Sequence, residues 1–157
     1  MLSLISSFFS WSDLPSLQQG RLACAATVLP DGAIVVAGGL KNREDFLSSV
    51  ELLPGPVGGG ARSGGKGWRP LPPLLQARAY HGLAALNDAL VVAGGRGDGG
   101  WSDLSTAELL SPLPTEGSRA GAGQWTRIAS LSRITGWCGL VSHADRLFAY
   151  TNRNCEC

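Results

Sequence analysis

Three similar phrases, each opened by a tryptophan, recur at a fixed interval of 57 residues. They begin at Trp11, Trp68 and Trp125, and each is followed by an arginine, at Arg21, Arg78 and Arg133. A long interval repeated in this way is typical of chains built from one supersecondary unit used several times. The repeat limits the possible folds more than any other feature of the sequence.

The segments between the phrases repeat in a constant order. In the first copy, an apolar run at 23–29 precedes a polar turn, a second run closed by Gly38 and Gly39, and a third run at 47–53. The second copy has the corresponding runs at 80–86 and 104–110, with Gly94 and Gly95 closing the middle run. The third copy has runs at 136–141 and 147–150 and no glycine pair.

Each run has the length and composition of a short β-strand. The runs are rich in valine and isoleucine and are bounded by turn residues, and most are too short for helices. Each repeat therefore supplies four strands, and the short turns between them favour an antiparallel meander. A single sheet cannot cover both of its faces, so we expect an all-β fold in which four-stranded blades stack radially as a β-propeller.

The ordered features resemble the kelch-repeat family. One copy of its pattern fits Arg21, Gly38, Gly39 and Trp68, and the next fits Arg78, Gly94, Gly95 and Trp125. The chain departs from the family where strand three carries a tyrosine, because Leu53 and Leu110 stand there. The resemblance spans roughly residues 11–150 and implies a partial kelch-type propeller.

The repeats predict a single incomplete propeller domain of about two and a half blades. The expected units are a strand four of a missing blade at 8–17, blades at 21–71 and 78–128, a partial blade at 133–150, and a divergent tail at 151–157. Open blade ends would expose apolar surface that a closed ring buries. We therefore expect either a truncated isoform of a longer product, or self-association or partner binding through the open faces.

Composition and charge exclude several classes of function. The formal net charge is +1, which argues against nucleic-acid binding. No apolar run approaches the ~20 residues that a membrane helix needs, and the first eleven residues lack the pattern of a signal peptide. The four cysteines match no zinc or disulfide spacing. These features predict a cytoplasmic or nuclear protein without metal or cofactor.

The direction of the strands predicts where a partner would bind. In a meander, the loops after strands two and four open on one face, and in proteins of the resembling family this face carries the ligand pocket. The candidate partner-binding residues on it are Lys41, Arg43, Asp45, Arg96, Asp98 and Trp101. The alternative is that they are solvated loop residues, with Arg43 paired to Glu44 or Asp45. The Arg-Gly-Asp sequence at 96–98 is interpreted as coincidence.

No catalytic constellation emerges from the sequence. His81 is expected to be a hydrogen-bonded packing residue, and Trp68 and Trp125 are expected in the core between blades. We therefore expect a non-enzymatic protein-interaction module with an unidentified protein partner. The alternatives are a truncated isoform with little activity of its own or, less favoured, a propeller enzyme such as a copper oxidase, whose histidine, tyrosine and cysteine set is not visible in the sequence.

Overall fold

A computed structural model describes residues 13–55, 67–97, 101–113, 123–132 and 136–151. Within these ranges the chain is all-β, as expected, and none of them contains a helix able to cross a membrane. The strands are β1 (Ala25–Val28), β2 (Ile34–Ala37), β3 (Val50–Leu53), β4 (Arg69–Leu71), β5 (Gly82–Leu86), β6 (Ala89–Ala93), β7 (Arg96–Gly97), β8 (Ser102–Asp103), β9 (Ala107–Ser111), β10 (Gln124–Ile128), β11 (Cys138–His143) and β12 (Arg146–Thr151).

The first sheet, which we call blade 1, is an antiparallel meander with the order β1-β2-β3-β4. Its register places Val50 of β3 opposite Ala37 of β2 on one side and opposite Leu71 of β4 on the other. β4 contains Pro70 and lies at the edge of the sheet. An edge position tolerates proline because the outward side of the strand needs no ladder hydrogen bond.

The second sheet, blade 2, has the order β5-β6-β9-β10 and repeats this meander. Between its second and third strands, β7 and β8 form a small hairpin in which Arg96 pairs with Asp103. The sequence predicted a plain loop for this segment. In blade 1 the equivalent positions, Leu40 and Phe46, form an isolated bridge. The loop after strand two is therefore folded back on itself in both blades.

The third unit, partial blade 3, consists of the antiparallel pair β11 and β12. β12 includes Thr151, which the sequence analysis assigned to the divergent tail. Residues 13–17, expected to belong to a strand four, form no strand. They correspond to 70–74 of the next repeat, where β4 pairs with β3 of its own sheet; no described strand lies in that position for 13–17. Trp11 and Arg133 lie outside the described residues.

The main core lies between blades 1 and 2. We call the face of a blade that is turned toward the next blade its trailing face, and the opposite face its leading face. Alternate residues of a strand point to opposite faces, so β2 and β3 send Val35, Ala37, Val50 and Leu52 to the trailing face of blade 1. The leading face of blade 2 meets them with buried side chains from four strands: Leu83, Leu90, Val92, Leu110 and Trp125.

The repeated tryptophans close the outer part of each leading face. Trp68 packs with Val36 and Leu53 on blade 1, beside Leu17. Its Nε1 donates to the carbonyl oxygen of Pro15 at 2.7 Å. Nε1 of Trp125 donates in the same way to the carbonyl oxygen of Pro72 at 2.8 Å. Each tryptophan therefore joins its blade to the segment that precedes the blade.

The glycine pairs allow adjacent blades to approach closely. Gly38 and Gly39 have φ values of 60° and 101°, in the region that favours glycine. The amide of Gly39 donates to the carbonyl oxygen of Arg78 at 2.8 Å. A Cβ atom at Gly38 would lie 2.5 Å from that same oxygen. A side chain at this position would push blade 2 away from blade 1. Gly94 and Gly95 have the same conformation, with φ values of 66° and 88°.

In each complete blade, a buried arginine just before the first strand pairs with a buried glutamate on the third strand. Arg78 and Glu108 are both fully buried and form an ion pair at 2.7 Å. Arg78 also donates to the carbonyl oxygens of Gly94 and Thr106, at 2.9 and 3.0 Å. Burial lowers the pKa of Arg78, and Glu108 opposes this shift. In blade 1, Arg21 binds Glu51 and the carbonyl oxygens of Gly38 and Ser49.

We predict that Arg78→Met destabilises the chain by about 3–5 kcal/mol, because it leaves the Glu108 carboxylate buried without its partner. Arg96→Met removes the exposed ion pair with Asp103 and should cost less than about 1 kcal/mol. Urea unfolding followed by circular dichroism measures both. The double variant Arg78→Met/Glu108→Leu should recover part of the loss. Equal stability of the two single variants would contradict this assignment.

Candidate functional site

The loops after strands two and four meet at one end of the blades, which we call the upper face. Three backbone hydrogen bonds join the loop after β2 to the segment after β4. Gly39 donates to Arg78 at 2.8 Å, Leu74 donates to Ser48 at 2.9 Å, and Arg78 donates to Leu47 at 3.2 Å. The upper face is therefore a continuous surface held together by backbone contacts between successive blades.

Four aromatic side chains lie together on the upper face, and we call them the aromatic cluster. The ring centroids of Phe46 and Trp101 are 5.2 Å apart in an edge-to-face arrangement. Tyr80 is 6.3 Å from Trp101 and 4.5 Å from Trp137. These are distances at which aromatic pairs attract each other beyond their burial. All three blades contribute to the cluster.

The backbone holds two members of the aromatic cluster in an uncommon conformation. Tyr80 has a φ of 56° and Trp101 a φ of 63°. Large residues are rarely found in this left-handed region, and such positions persist only where the surroundings impose them. For Tyr80 the surroundings are two backbone hydrogen bonds, from its amide to Ala23 and to its carbonyl oxygen from Cys138. The cluster is therefore placed by the contacts between blades.

A cavity of about 470 Å³ opens beside the aromatic cluster. It lies near the start of β1, β5 and β11, the first strands of the three blades, which we call the inner strands. Residues from all three blades line it: Ala23, Cys24, Tyr80, His81, Trp137, Cys138, Gly139, Tyr150 and Thr151. Cys24, His81 and Cys138 stand at the same position in successive repeats. Its mixed wall of aromatic rings, thiols and hydroxyl groups suits a largely apolar group better than a charged one.

His81 is enclosed between blades 1 and 2. It is 4% exposed, and a Cβ atom at Gly38 would lie 2.7 Å from its Cε1. Among the described residues neither ring nitrogen has a hydrogen-bond partner of good geometry, so the expectation of a hydrogen-bonded histidine is not confirmed. Burial and the nearby charge of Arg78 lower the pKa of His81 to about 3, and the backbone of Ala37 opposes this shift. His81 is therefore a neutral packing residue.

The structure brings together residue types that the sequence kept apart. Histidine, tyrosine and cysteine side chains line one cavity, which the sequence analysis could not assemble. Among the described residues, however, no group of three or more histidine, cysteine, aspartate or glutamate side chains is arranged to hold a metal ion. The ring nitrogens of His81 are also turned away from solvent.

The first loop on the upper face carries exposed charges. Lys41, Arg43 and Asp45 are all exposed. Asp45 accepts a hydrogen bond from Asn42 Nδ2 at 2.9 Å, and its carbonyl oxygen accepts from the amide of Lys41 at 2.9 Å. Arg43 makes no ion pair with any residue in the described ranges. Its guanidinium group is available to a partner.

Arg96 differs from Arg43 because its guanidinium group is already engaged. Arg96 Nε donates to Asp103 Oδ1 at 3.0 Å, across the β7–β8 hairpin. A Cβ atom at Gly136 would lie 2.8 Å from that nitrogen, so the ion pair also packs against the entrance to partial blade 3. Trp101 is 40% exposed. Asp98 lies outside the described residues.

Sequence reasoning missed three of the four cluster residues. It selected Trp101 but passed over Phe46, Tyr80 and Trp137. A usable signal was present, since Tyr80 and Trp137 are separated by the repeat interval of 57 residues. The sequence could not show that the loop after β2 folds back and carries Phe46 toward the next blade.

The comparisons with known proteins agree with this architecture. Stacked four-stranded antiparallel sheets joined at their inner strands define a β-propeller class of fold. Residues 77–132 match the family model of the kelch motif, and this range contains Arg78, Gly94, Gly95 and Trp125. The match covers blade 2, and it supports the resemblance of the chain to the kelch-repeat family. A search of curated proteins found no match. The kelch motif is generally a protein-interaction module and typically non-enzymatic.

We predict that the chain loses stability as the pH falls below 6.5, the ordinary pKa of histidine. The unfolded chain then binds a proton at His81, whereas the folded chain, with a pKa of about 3, does not. The slope is about 1.4 kcal/mol per pH unit for one proton, so lowering the pH from about 7 to about 5.5 should cost roughly 1 kcal/mol. Urea unfolding at both pH values measures the loss.

His81→Gln should remove most of this dependence on pH, because glutamine does not titrate. The exposed His143 provides the matched control, and His143→Gln should retain the dependence. An unchanged slope in His81→Gln would contradict the assignment to His81.

Proposed function

We propose that this chain binds a protein partner through its upper face, with the aromatic cluster as the anchor. The observation that carries the proposal is that three blades converge to place four aromatic side chains together while leaving part of them open. Trp101 is 40% exposed and Trp137 is 53% exposed. An isolated exposed aromatic residue is ordinary, but a contiguous group of this kind is typical of interaction sites.

The physical properties of the cluster suit an interface centre. Tryptophan and tyrosine are enriched among the residues that contribute most to binding, because each buries a large area with few rotatable bonds. The edge-to-face and tilted contacts within the cluster hold the rings before a partner arrives. Binding of a partner therefore costs little side-chain entropy in the aromatic cluster.

The surroundings of the cluster suggest the chemistry of the partner. The adjacent cavity of about 470 Å³ is large enough for one bulky apolar side chain. Lys41 and Arg43 are exposed on the neighbouring loop. We infer that the partner presents an apolar or aromatic side chain to the cavity and a carboxylate to Arg43. Arginine is suited to this role because its planar fork can donate two hydrogen bonds to one carboxylate.

The first prediction from this proposal concerns the aromatic anchor. Immobilised wild-type chain should capture a partner from native cell lysate, and Trp101→Ala/Trp137→Ala should reduce capture roughly 10- to 100-fold, the effect of removing two aromatic anchors. Quantitative mass spectrometry measures the ratio. Ile128→Ala is the control, because Ile128 is an exposed apolar residue on β10, the outermost strand of blade 2. Equal loss of capture with both proteins would argue against the upper face.

The second prediction separates the two arginines. Once a partner is in hand, Arg43→Ala should weaken binding roughly tenfold, about 1.4 kcal/mol, and the loss should shrink at high salt. Arg96→Ala should have a smaller effect, because Asp103 already occupies the Arg96 guanidinium group. Isothermal titration calorimetry at two salt concentrations measures both. The reverse order would show that the Arg96–Asp103 pair opens on binding and that Arg43 is a solvated loop residue.

A further inference from the structure

The inner strand of blade 1 lacks the cover that the inner strand of blade 2 receives. Val28 is 62% exposed, whereas its equivalent in the next repeat, Ala85, is half-buried against the core. Ala26 is exposed, whereas its equivalent Leu83 is 5% exposed. The difference arises because blade 1 packs on β5, while no described strand packs on β1 from the leading side. The leading face of blade 1 is therefore half of an inter-blade contact.

Partial blade 3 presents the other half of the same contact. Val141, Phe148 and Tyr150 point to its trailing face and are 51%, 46% and 57% exposed. The corresponding trailing-face residues of blade 2 are Ala84, Val91 and Ala93, which are at most 3% exposed because partial blade 3 covers them. The exposed fractions of equivalent side chains can therefore be compared from one repeat to the next. The difference between them marks the exposed apolar surface that a further blade would bury.

The outer part of blade 1 is already covered by residues 13–19, which take the place of the segment that begins in β4 and leads out of it. Pro15 accepts from Trp68 as Pro72 accepts from Trp125. The amide of Gln18 donates to Glu51 at 2.8 Å, and that of Leu75 donates to Glu108 at 2.7 Å. Residues 13–19 therefore stand to blade 1 as residues 70–76 stand to blade 2. They therefore occupy the position that the end of a preceding blade's outer strand has in the next repeat.

Partial blade 3 has the complementary composition, since β11 and β12 are the two inner strands of a blade. We propose that two copies of this chain associate head to tail and reciprocally. The leading face of blade 1 in each copy packs on the trailing face of partial blade 3 in the other. In this arrangement, β11 and β12 of one copy lie beside residues 13–19 of the other copy.

The known contact between blades 2 and 3 indicates the register of this interface. A Cβ atom at Gly82 would lie 2.6 Å from Leu140 Cγ. Gly82 and Leu140 correspond to Gly139 and Ala26 in the repeat. Ala26 of one copy should therefore face Gly139 and Tyr150 of the other, with Val28 facing Val141 and Phe148. Both sides are apolar and free of charged residues at these positions.

Reciprocal packing would also close the ring. Each copy supplies two four-stranded blades and one partial blade. Two copies then provide six blade positions, within the range of about four to eight found in propellers. A twofold arrangement of this kind uses two identical contacts and leaves no open end.

Analytical ultracentrifugation of the 157-residue chain at micromolar concentration tests the proposal, which does not depend on the proposed partner. Wild-type chain should sediment as a discrete dimer. Val28→Lys and Phe148→Glu each place a charge in both contacts and should raise the dissociation constant roughly 100-fold. Both positions are solvent-exposed in one copy, so circular dichroism should show that each variant remains folded. Ile128→Lys, on the outer strand β10, should leave the dimer intact.

Mixing the two variants gives the decisive result. In an equimolar mixture of Val28→Lys and Phe148→Glu chains, one contact joins the introduced lysine to the introduced glutamate and the other is wild type, so dimerisation should be restored. A contact between like faces would leave one single variant dimeric and would overturn the proposal. A series of species larger than the dimer would overturn ring closure. A monomeric wild-type chain would overturn the proposal and would not bear on partner capture by the upper face.

Discussion

The ion pair between a buried arginine and a buried glutamate organises each complete blade. A guanidinium group removed from water must have its charge and its donors satisfied, because an unpaired buried charge costs several kcal/mol. The two terminal nitrogens of Arg78 meet this requirement because the end of β6, the approach to β9 and the Glu108 side chain converge on them. Its Nε has no hydrogen-bond partner among the described residues. Glu108 also accepts from the amides of Leu75 and Gln76. The pair thus ties three strands to the segment that arrives from the preceding blade.

The upper face depends on this arrangement. The carbonyl oxygen of Arg78 accepts from Gly39 of blade 1, and two residues later Tyr80 bridges blades 1 and 3 through its backbone. The unusual backbone conformation of Tyr80 follows from these constraints. The aromatic cluster is therefore a consequence of how the blades are joined. Tyr80 and Trp137 lie just before β5 and β11, whereas Phe46 and Trp101 lie in the loops after strand two of their blades.

The upper face and the proposed dimer contact both depend on packing between successive blades. The upper face is formed by contacts that the chain completes, whereas the leading face of blade 1 and the trailing face of partial blade 3 are contacts that it leaves half made. The apolar residues there have buried counterparts one repeat away. Because the repeat makes the two halves complementary, the same packing that holds blades 1 and 2 together can operate between copies. Tyr150 belongs to both surfaces, because it lines the cavity and lies on the trailing face of partial blade 3.

The sequence by itself determined the repeat interval, the strand order and the all-β class, because strand length, turn residues and apolar patterning are local properties. It also marked Arg78, the glycine pairs and Trp125 as recurring features. Only the tertiary structure decided what they contact. Three contacts join residues from different strands or blades: Arg78 with Glu108, Arg96 with Asp103, and Phe46 with Trp101. The burial of His81 between blades 1 and 2 is also a result of the tertiary structure. Such contacts depend on strand pairing within a blade and on the distance and angle between sheets, which no local pattern of residues encodes.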